Sequence, residues 1–171
     1  MAKLKLRSFA DSEIDFELMQ EIFSDPLFIK HMQTREQEVC IDANELQMRL
    51  MVFARKSKGG VDELKVLYES DSKETFGISG LLSKNSGLGS PELSIYIRKK
   101  FRNLGFAKEG IKLTIRESSI SDYSAFVDFD NLASQKLMIS AGLVLSGIIF
   151  HRNLKREGLL YLSPGSQSKI K

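Results

Sequence analysis

Two short stretches of this chain hold the residue types and spacing from which a binding chemistry can be built. The run Pro91 to Ala107, PELSIYIRKKFRNLGFA, alternates apolar residues at Leu93, Ile95 and Ile97, then turns through Arg98, Lys99, Lys100 and Arg102 to one glycine, Gly105. A strand that passes through a turn directly into a helix aims successive backbone N–H groups at one spot, which suits a phosphate. Gly105 lets the backbone come close to a pyrophosphate that a side chain would obstruct. The amides of Asn103, Leu104, Gly105, Phe106, Ala107 and Lys108 are the candidate donors, and a helix N-terminus adds about 0.3–1 kcal/mol per favourable charge. A second stretch, NLASQKLMISAGL, begins at Asn131. The pair points to a phosphate-bearing cofactor.

Each feature also has a plainer reading. Asn131 fits a helix N-cap, Gly142 a C-cap, and Arg98 to Arg102 a solvated basic turn. Leu104, Ile111 and Ile115 fall on a helical stripe and read as core.

Composition narrows the field. With 171 residues and 42% hydrophobic content, one domain with a sizeable core is expected. Lys and Arg number 25 against 22 Asp and Glu, a net charge of +3, which is too mild for a nucleic-acid footprint, and no aromatic residues interleave with basic ones. No nucleic-acid partner is expected. The first sixteen residues hold no apolar signal stretch, and the longest apolar run, Leu143 to Phe150, is too short for a bilayer, so a cytoplasmic protein without membrane attachment is expected. The single cysteine, Cys40, has no partner for a disulfide or zinc site, and His31 and His151 lie far apart, so no metal is expected. Both histidines read as structural or exposed.

The elements that must position these residues follow from periodicity. Leu4 and Leu6 alternate with charges as a short strand, and Ile14 to Phe23 recur at helical spacing until Asp25-Pro26 closes the run. Asp42 begins a second helix carrying Leu46, Leu50, Met51 and Phe53, broken at Gly59-Gly60. Leu64, Val66 and Tyr68, a turn at residues 70–73, then Phe76, Ile78 and Leu82 read as a hairpin. The turn-rich loop Ser83 to Pro91 leads into the strand whose Leu93, Ile95 and Ile97 share one face, with Ser94 and Tyr96 on the other. After the helix come a strand over Ala125 to Phe129, a helix from Leu132 to Gly142, and a closing hairpin around Lys155 to Gly158. The domain spans residues 1–162, and 163–171 read as a disordered tail. The order predicts an α/β (α+β) architecture: a mixed, mostly antiparallel sheet with a central parallel pair and helices on both faces.

Arg102, Asn103, Leu104, Gly105, Phe106 and Ala107 match Gln/Arg-x-x-Gly-x-Gly/Ala, and Asn131, Ser134, Gly142 and Leu143 match Asn-x-x-Ser-(x)7-Gly-Phe except at the last position. On these motifs the chain resembles the GCN5-related N-acetyltransferase (GNAT) superfamily. Ser24-Asp25-Pro26, closing the first helix, resembles the subgroup related to ribosomal-protein alanine N-acetyltransferases. The resemblance implies acetyl-CoA as cosubstrate and an amine as acceptor, in a monomer or homodimer. By the same resemblance Ile95, Tyr96 and Ile97 pair with the pantetheine arm, Asn131 and Ser134 bond it, Arg102 to Lys108 hold the pyrophosphate, and Arg98 to Lys100 meet the adenosine phosphates.

The chain departs from that pattern at three polar positions. Phe126 and Met138 stand where some members with this layout carry a glutamate and a tyrosine, and Ser146 stands where Gly-Phe-x-x-Glu-Gly would place a glutamate. Glu92, Tyr96 and Ser134 remain as candidate catalytic residues: Glu92 as a base acting through water, Ser134 as donor to the leaving thiolate. A weak base favours an acceptor that is already partly neutral. An α-amine of pKa about 8 is roughly a tenth neutral at pH 7, whereas lysine near 10.4 is neutral less than about one time in a thousand. An N-terminal α-amine or other low-pKa amine is therefore the expected acceptor, and a CoA-binding module without transferase activity is the alternative. The acceptor site is expected among the leading helices, the loop Ser83 to Pro91 and the closing hairpin. The acidic residues Glu36, Glu38, Asp42 and Glu45 read as a solvated helix face.

Overall fold

The computed structural model describes residues 3–10, 12–32, 63–82 and 90–166, with isolated positions between them. The chain opens with strand β1 (Leu4–Arg7), then helix α1 (Glu13–Ser24). Ser12 caps α1, its hydroxyl accepting from the Asp15 N–H at 3.3 Å. Leu18, Met19 and Ile22 turn inward together, one helical turn apart. Asp15, fully buried, accepts two bonds from the Arg7 guanidinium at 2.5 and 2.7 Å and a third from the Ala10 N–H at 2.7 Å, which fixes α1 to β1.

The proline expected to end the first helix does so, since Asp25 is extended at φ −80° and ψ 116°. It also starts a second helix, α2 (Pro26–Met32), that periodicity did not reveal. Proline costs nothing at a first helical position, where its missing N–H would have no partner. The helix expected from Asp42 to Phe53 lies largely outside the described residues. Asn44, Glu45 and Met48 within it are helical.

Strands β2 (Glu63–Glu69) and β3 (Thr75–Leu82) form the expected hairpin, and β4 (Glu92–Ile97) follows. Helix α3 (Phe106–Ser118) crosses to β5 (Ser124–Val127), then come α4 (Leu132–Ser140), β6 (Val144–His151) and β7 (Arg156–Leu162). Among the described residues these strands form one sheet in the order β1-β2-β3-β4-β5-β7-β6, antiparallel throughout except for β4 beside β5. A crossover helix between neighbouring strands requires that parallel pair.

Alternation along the strands divides the core between two faces. Val66, Ile78 and Tyr96 pack under α1 with Leu18, Met19 and Ile22, while Phe28 of α2 joins them. Leu93, Ala125, Val127 and Tyr161 pack on the other face with Ile111 of α3 and Met138 of α4. Leu93 and Ile97 thus share a face and Tyr96 opposes them, as the sequence predicts. Buried hydroxyls stitch α3 to the sheet: Thr114 donates to the Gly110 carbonyl at 2.9 Å, so Ser79 donates to Thr114 at 2.6 Å.

Residues 163–166 depart from the expected disordered tail. Ser163 and Ser166 are buried, with the Ser163 hydroxyl donating to the Ser121 carbonyl at 2.8 Å and accepting from the Tyr123 N–H at 3.2 Å. Polar, turn-forming composition suggested disorder, but these hydroxyls satisfy the backbone before β5. No helix among the described residues is long and apolar enough to cross a membrane.

Candidate acyl-CoA site

The parallel strands β4 and β5 touch at one registered pair, Glu92 with Ser124, and then diverge. From Leu93 to Ile97 the edge of β4 that looks toward β5 has no strand partner among the described residues, because β3 occupies only the opposite edge. The sheet therefore carries a V-shaped gap, closed at Glu92 and open toward the carboxyl ends of both strands. An exposed edge of N–H and C=O groups inside a sheet can take an extended ligand as an added strand. Ile95 and Ile97 turn their backbone groups into it, those of Tyr96 face β3, and the Ile97 carbonyl accepts from Arg102.

Helices α3 and α4 both begin at the open end, because each follows the carboxyl end of one of these parallel strands. Gly105 precedes α3 in the left-handed conformation, φ 83° and ψ −6°, with no side chain capping the helix. Asn103 is also left-handed, at φ 63°. A Cβ placed on Gly105 would meet nothing within 4 Å, so the space above this backbone is open. The Arg102 N–H is taken by the Lys99 carbonyl and the Glu109 N–H by that of Gly105. Between them, from Asn103 to Lys108, no backbone N–H has a backbone acceptor among the described residues. These open amides, the unfilled space over Gly105 and the partial positive charge of the helix end fit a diphosphate. Leu104 is exposed, while Phe106 points inward and stacks on Phe76 at 4.3 Å between ring centroids.

The basic side chains of this turn are engaged elsewhere. Arg102 donates from Nε to the Ile97 carbonyl at 2.9 Å and from Nη2 to Asp25, and its guanidinium lies 5.4 Å from the Tyr96 ring centroid. Arg98 binds Glu21 at 2.6 Å and the Thr75 hydroxyl at 3.0 Å, and Lys100 binds Glu74 at 2.8 Å. Arg102 and Arg98 thus hold the turn against α1 and the corner between α1 and α2. The backbone is left facing the gap.

Asn131 caps α4, its side-chain oxygen accepting from the Ser134 N–H at 3.1 Å. Of the two readings of this residue, the cap is the one seen. Ser134 lies in the first turn of α4 and is partly exposed, and its hydroxyl bonds to nothing among the described residues.

Glu92 stands at the closed end of the gap, on the face covered by α1 and α2. Its Oε2 lies 3.0 Å from Nε2 of His151, a buried residue at the end of β6. The Leu154 N–H donates to the other ring nitrogen, Nδ1, at 3.2 Å. Nδ1 must then carry a lone pair, so Nε2 carries the proton and donates to Glu92. Phe126 meets the imidazole edge-on at 4.8 Å. His151 was expected to be structural or exposed, and the 59 residues separating it from Glu92 offered no signal of this bond. Only the pairing of β6, β7 and β5 brings them together.

Tyr96 donates to Asp25 at 3.0 Å. Burial, the bond to Asp25 and the charges of Asp25 and Glu21 push the phenol well above its ordinary range. Burial alone would raise the Asp25 carboxyl, but bonds from the Leu27 N–H, Arg102 and Tyr96 outweigh it and hold the pKa below the usual value. Tyr96 is thus a neutral donor tied to a carboxylate at physiological pH.

A second charged cluster joins the end of α2 to the sheet. His31 Nδ1 lies 2.7 Å from Asp128, Arg156 Nε lies 2.9 Å from the same carboxylate, and Lys30 pairs with Asp130 at 2.5 Å. The ligand atoms of His31, Asp128 and Asp130 lie within 4.8 Å of one another. Two side-chain cations already occupy these carboxylates, which makes the cluster an ion-pair network that anchors α2 through Arg156, whose guanidinium also donates to the Lys30 and His31 carbonyls.

A sheet opened between two parallel strands, with two helix N-termini at the open end, defines a protein that takes an extended, phosphate-bearing ligand across its middle. A family model described as an acetyltransferase (GNAT) domain matches residues 3–144. The chain belongs to the GNAT acetyltransferase family and is an acetyl-CoA-dependent N-acetyltransferase. The fold is shared with a spermidine N-acetyltransferase from Vibrio cholerae solved with CoA and spermine, at 16% identity and a TM-score of 0.70, covering 96% of this chain and 98% of that one. It is shared equally with RimL, a ribosomal L7/L12 α-N-protein acetyltransferase solved with coenzyme A, at 12% identity and a TM-score of 0.73 over 97% of each chain. The ribosomal-protein-S5-alanine acetyltransferase of Vibrio fischeri aligns at 10% identity and 0.70 over 95% of this chain and 93% of that one. A sequence search of curated proteins finds no match.

Proposed function

We propose that the chain acetylates an N-terminal α-amine or another amine of low pKa, with Glu92 as the base. The observation that carries this reading is the position of Glu92 at the closed end of the gap. Ile97 lies five positions further along the strand, about 17 Å when extended. A ligand whose diphosphate sits on the amides of Asn103 to Lys108, and whose arm pairs along Ile95 to Ile97, brings its far end toward Glu92. One carboxylate oxygen there is held by His151, which leaves Oε1 to accept a proton, directly or through water.

In the reaction the amine nitrogen attacks the thioester carbonyl, a C–N bond forms and the C–S bond breaks. The amine proton passes to Glu92, and the sulfur leaves as the CoA thiolate. Tyr96, tied to Asp25, keeps the β4 edge in place rather than taking a proton. Phe126 and Met138 supply no second carboxylate or phenol, so the acceptor must arrive partly neutral. The α-amine acceptor of RimL and the polyamine of the Vibrio cholerae enzyme mark the two chemical classes to compare.

The test is thiol release from acetyl-CoA with three acceptor sets at pH 7: peptides with free N-termini, N-blocked peptides with lysine, and polyamines. The expected result is turnover with free N-termini at least tenfold above the other two. Faster acetylation of lysine or polyamines would overturn the acceptor assignment. Tight acetyl-CoA binding without turnover on any amine would favour a CoA-binding module.

A further inference from the structure

Strand β5 sends its side chains to two destinations. Ala125 and Val127 pack into the core under α3 and α4, so Phe126 between them points to the opposite face. Glu92 points to that face too, because its neighbour Leu93 shares the core with Ala125. Phe126 is partly exposed there and belongs to none of the buried hydrophobic clusters among the described residues. Leu160 of β7 lies directly opposite Phe126, and Ile149 of β6 lies opposite Gly158 on the same face. Both are partly exposed and stand outside those clusters as well. Phe126, Leu160 and Ile149 thus make an apolar floor across three strands, bordered by His151 and, through it, Glu92.

The Phe126 ring is held where it lies. A Cβ on Gly158 would come within 2.6 Å of Phe126 Cε2 and 2.9 Å of the Val127 carbonyl oxygen, so only glycine leaves room for the ring. Its edge-on contact at 4.8 Å sets it against the imidazole that donates to Glu92. A single histidine therefore separates the ring from the carboxylate that takes the amine proton. We infer that Phe126, set in place by Gly158, is the specificity-determining surface of the acceptor site: its exposed side receives an apolar side chain on the acceptor's first residue while the α-amine lies at Glu92. The inference rests on the α-amine reading above and names the class within it, N-termini that begin with an apolar residue such as leucine or methionine. Such a side chain gains by leaving water for the ring. An acidic first residue would instead bring a second carboxylate toward Glu92 and lose hydration over three side chains that offer it no donor.

The experiment is thiol release from acetyl-CoA by the full chain with peptides that differ only in their first residue, beside a lysine peptide with a blocked N-terminus and a polyamine. Leucine and methionine should give a kcat/KM at least about tenfold above glycine and aspartate. Phe126→Ala should bring leucine and glycine within about threefold of each other, and Phe126→Leu, which keeps an apolar wall, should retain most of the preference. Gly158→Ala should weaken the preference by displacing the ring, and should add nothing in the Phe126→Ala background, since Gly158 acts through that ring. Titration with acetyl-CoA checks that each variant is folded, and where Phe126→Ala fails it, the native panel and Phe126→Leu decide. Equal rates for every first residue in the native chain overturn the inference and leave the α-amine acceptor standing. So does a preference that survives both Phe126→Ala and Gly158→Ala. Turnover only with the lysine peptide or the polyamine, or with no amine at all, overturns the acceptor reading and this inference with it.

Discussion

His151 donates from Nε2 to Glu92 because Leu154 occupies Nδ1, so a backbone amide three residues away sets the proton on a ring that reaches across the sheet. This gives Glu92 one fixed oxygen and one available oxygen. Glu92→Gln should therefore lower kcat by roughly a hundred- to ten-thousand-fold, the range of a lost general base, with acetyl-CoA affinity unchanged by calorimetry. His151→Phe removes the donor from a half-buried carboxylate and should cost about 1–3 kcal/mol of stability with a smaller loss of kcat. If His151 acts only by positioning Glu92, its rate effect should vanish in the Glu92→Gln background. Undiminished loss in the double variant would give His151 a separate role.

Gly105 carries two requirements that one substitution can separate. At φ 83° an alanine is strained by about 1 kcal/mol, which thermal unfolding of Gly105→Ala should register. The Cβ touches no protein atom, so packing adds nothing to that cost. A drop in acetyl-CoA affinity of tenfold or more beyond this modest destabilisation is expected, because the Cβ enters the space proposed for the diphosphate. Gly105→Asp should abolish binding through like charge. Unchanged affinity in both variants would leave Gly105 as a turn residue alone.

Asn131 is seen as a cap, and caps are interchangeable among short polar side chains. Asn131→Ala should destabilise by about 1 kcal/mol and Asn131→Asp should restore it. The KM for acetyl-CoA separates the two readings: it should follow stability if Asn131 only caps α4, and stay raised in the aspartate variant if its amide N–H also holds the pantetheine arm.

The Asp25–Tyr96 pair predicts losses at both ends of the pH scale. The Asp25 pKa is depressed on folding, so its contribution is present above the unfolded value near 3.8 and is lost as pH falls through the folded value. The Tyr96 pKa is raised, so its contribution is present below the unfolded value near 10 and is lost as pH rises beyond it. Urea midpoints should be flat between these limits and fall outside them. Asp25→Asn should lower the plateau and flatten the acid limb, and Tyr96→Phe should flatten the alkaline one. An unchanged acid limb in Asp25→Asn would assign the acid loss to other carboxylates.

Whatever depends on neighbours along the chain is legible in the order of the residues. Period-two alternation at Leu93, Ile95 and Ile97 set the faces of β4, and the strand-turn-helix passage through Gly105 announced the open amides of α3. The helix between β4 and β5 required their parallel pairing. Composition and local rules read too simply miss two features: Pro26 reads as a stop and is also a start, and Ser163 and Ser166 read as tail and are buried. The tertiary structure alone decided which side chains are free to act. Arg102 and Arg98 look like phosphate ligands in sequence, yet Asp25 and Glu21, brought over by α1 and the corner after it, draw them away. His151 looks like an isolated histidine until β7 carries it beside Glu92. The splay of β4 from β5 has no sequence signature, since it is the absence of pairing beyond one residue. Local periodicity encodes which way a side chain faces, whereas a partner many residues distant is chosen by how the whole sheet is ordered.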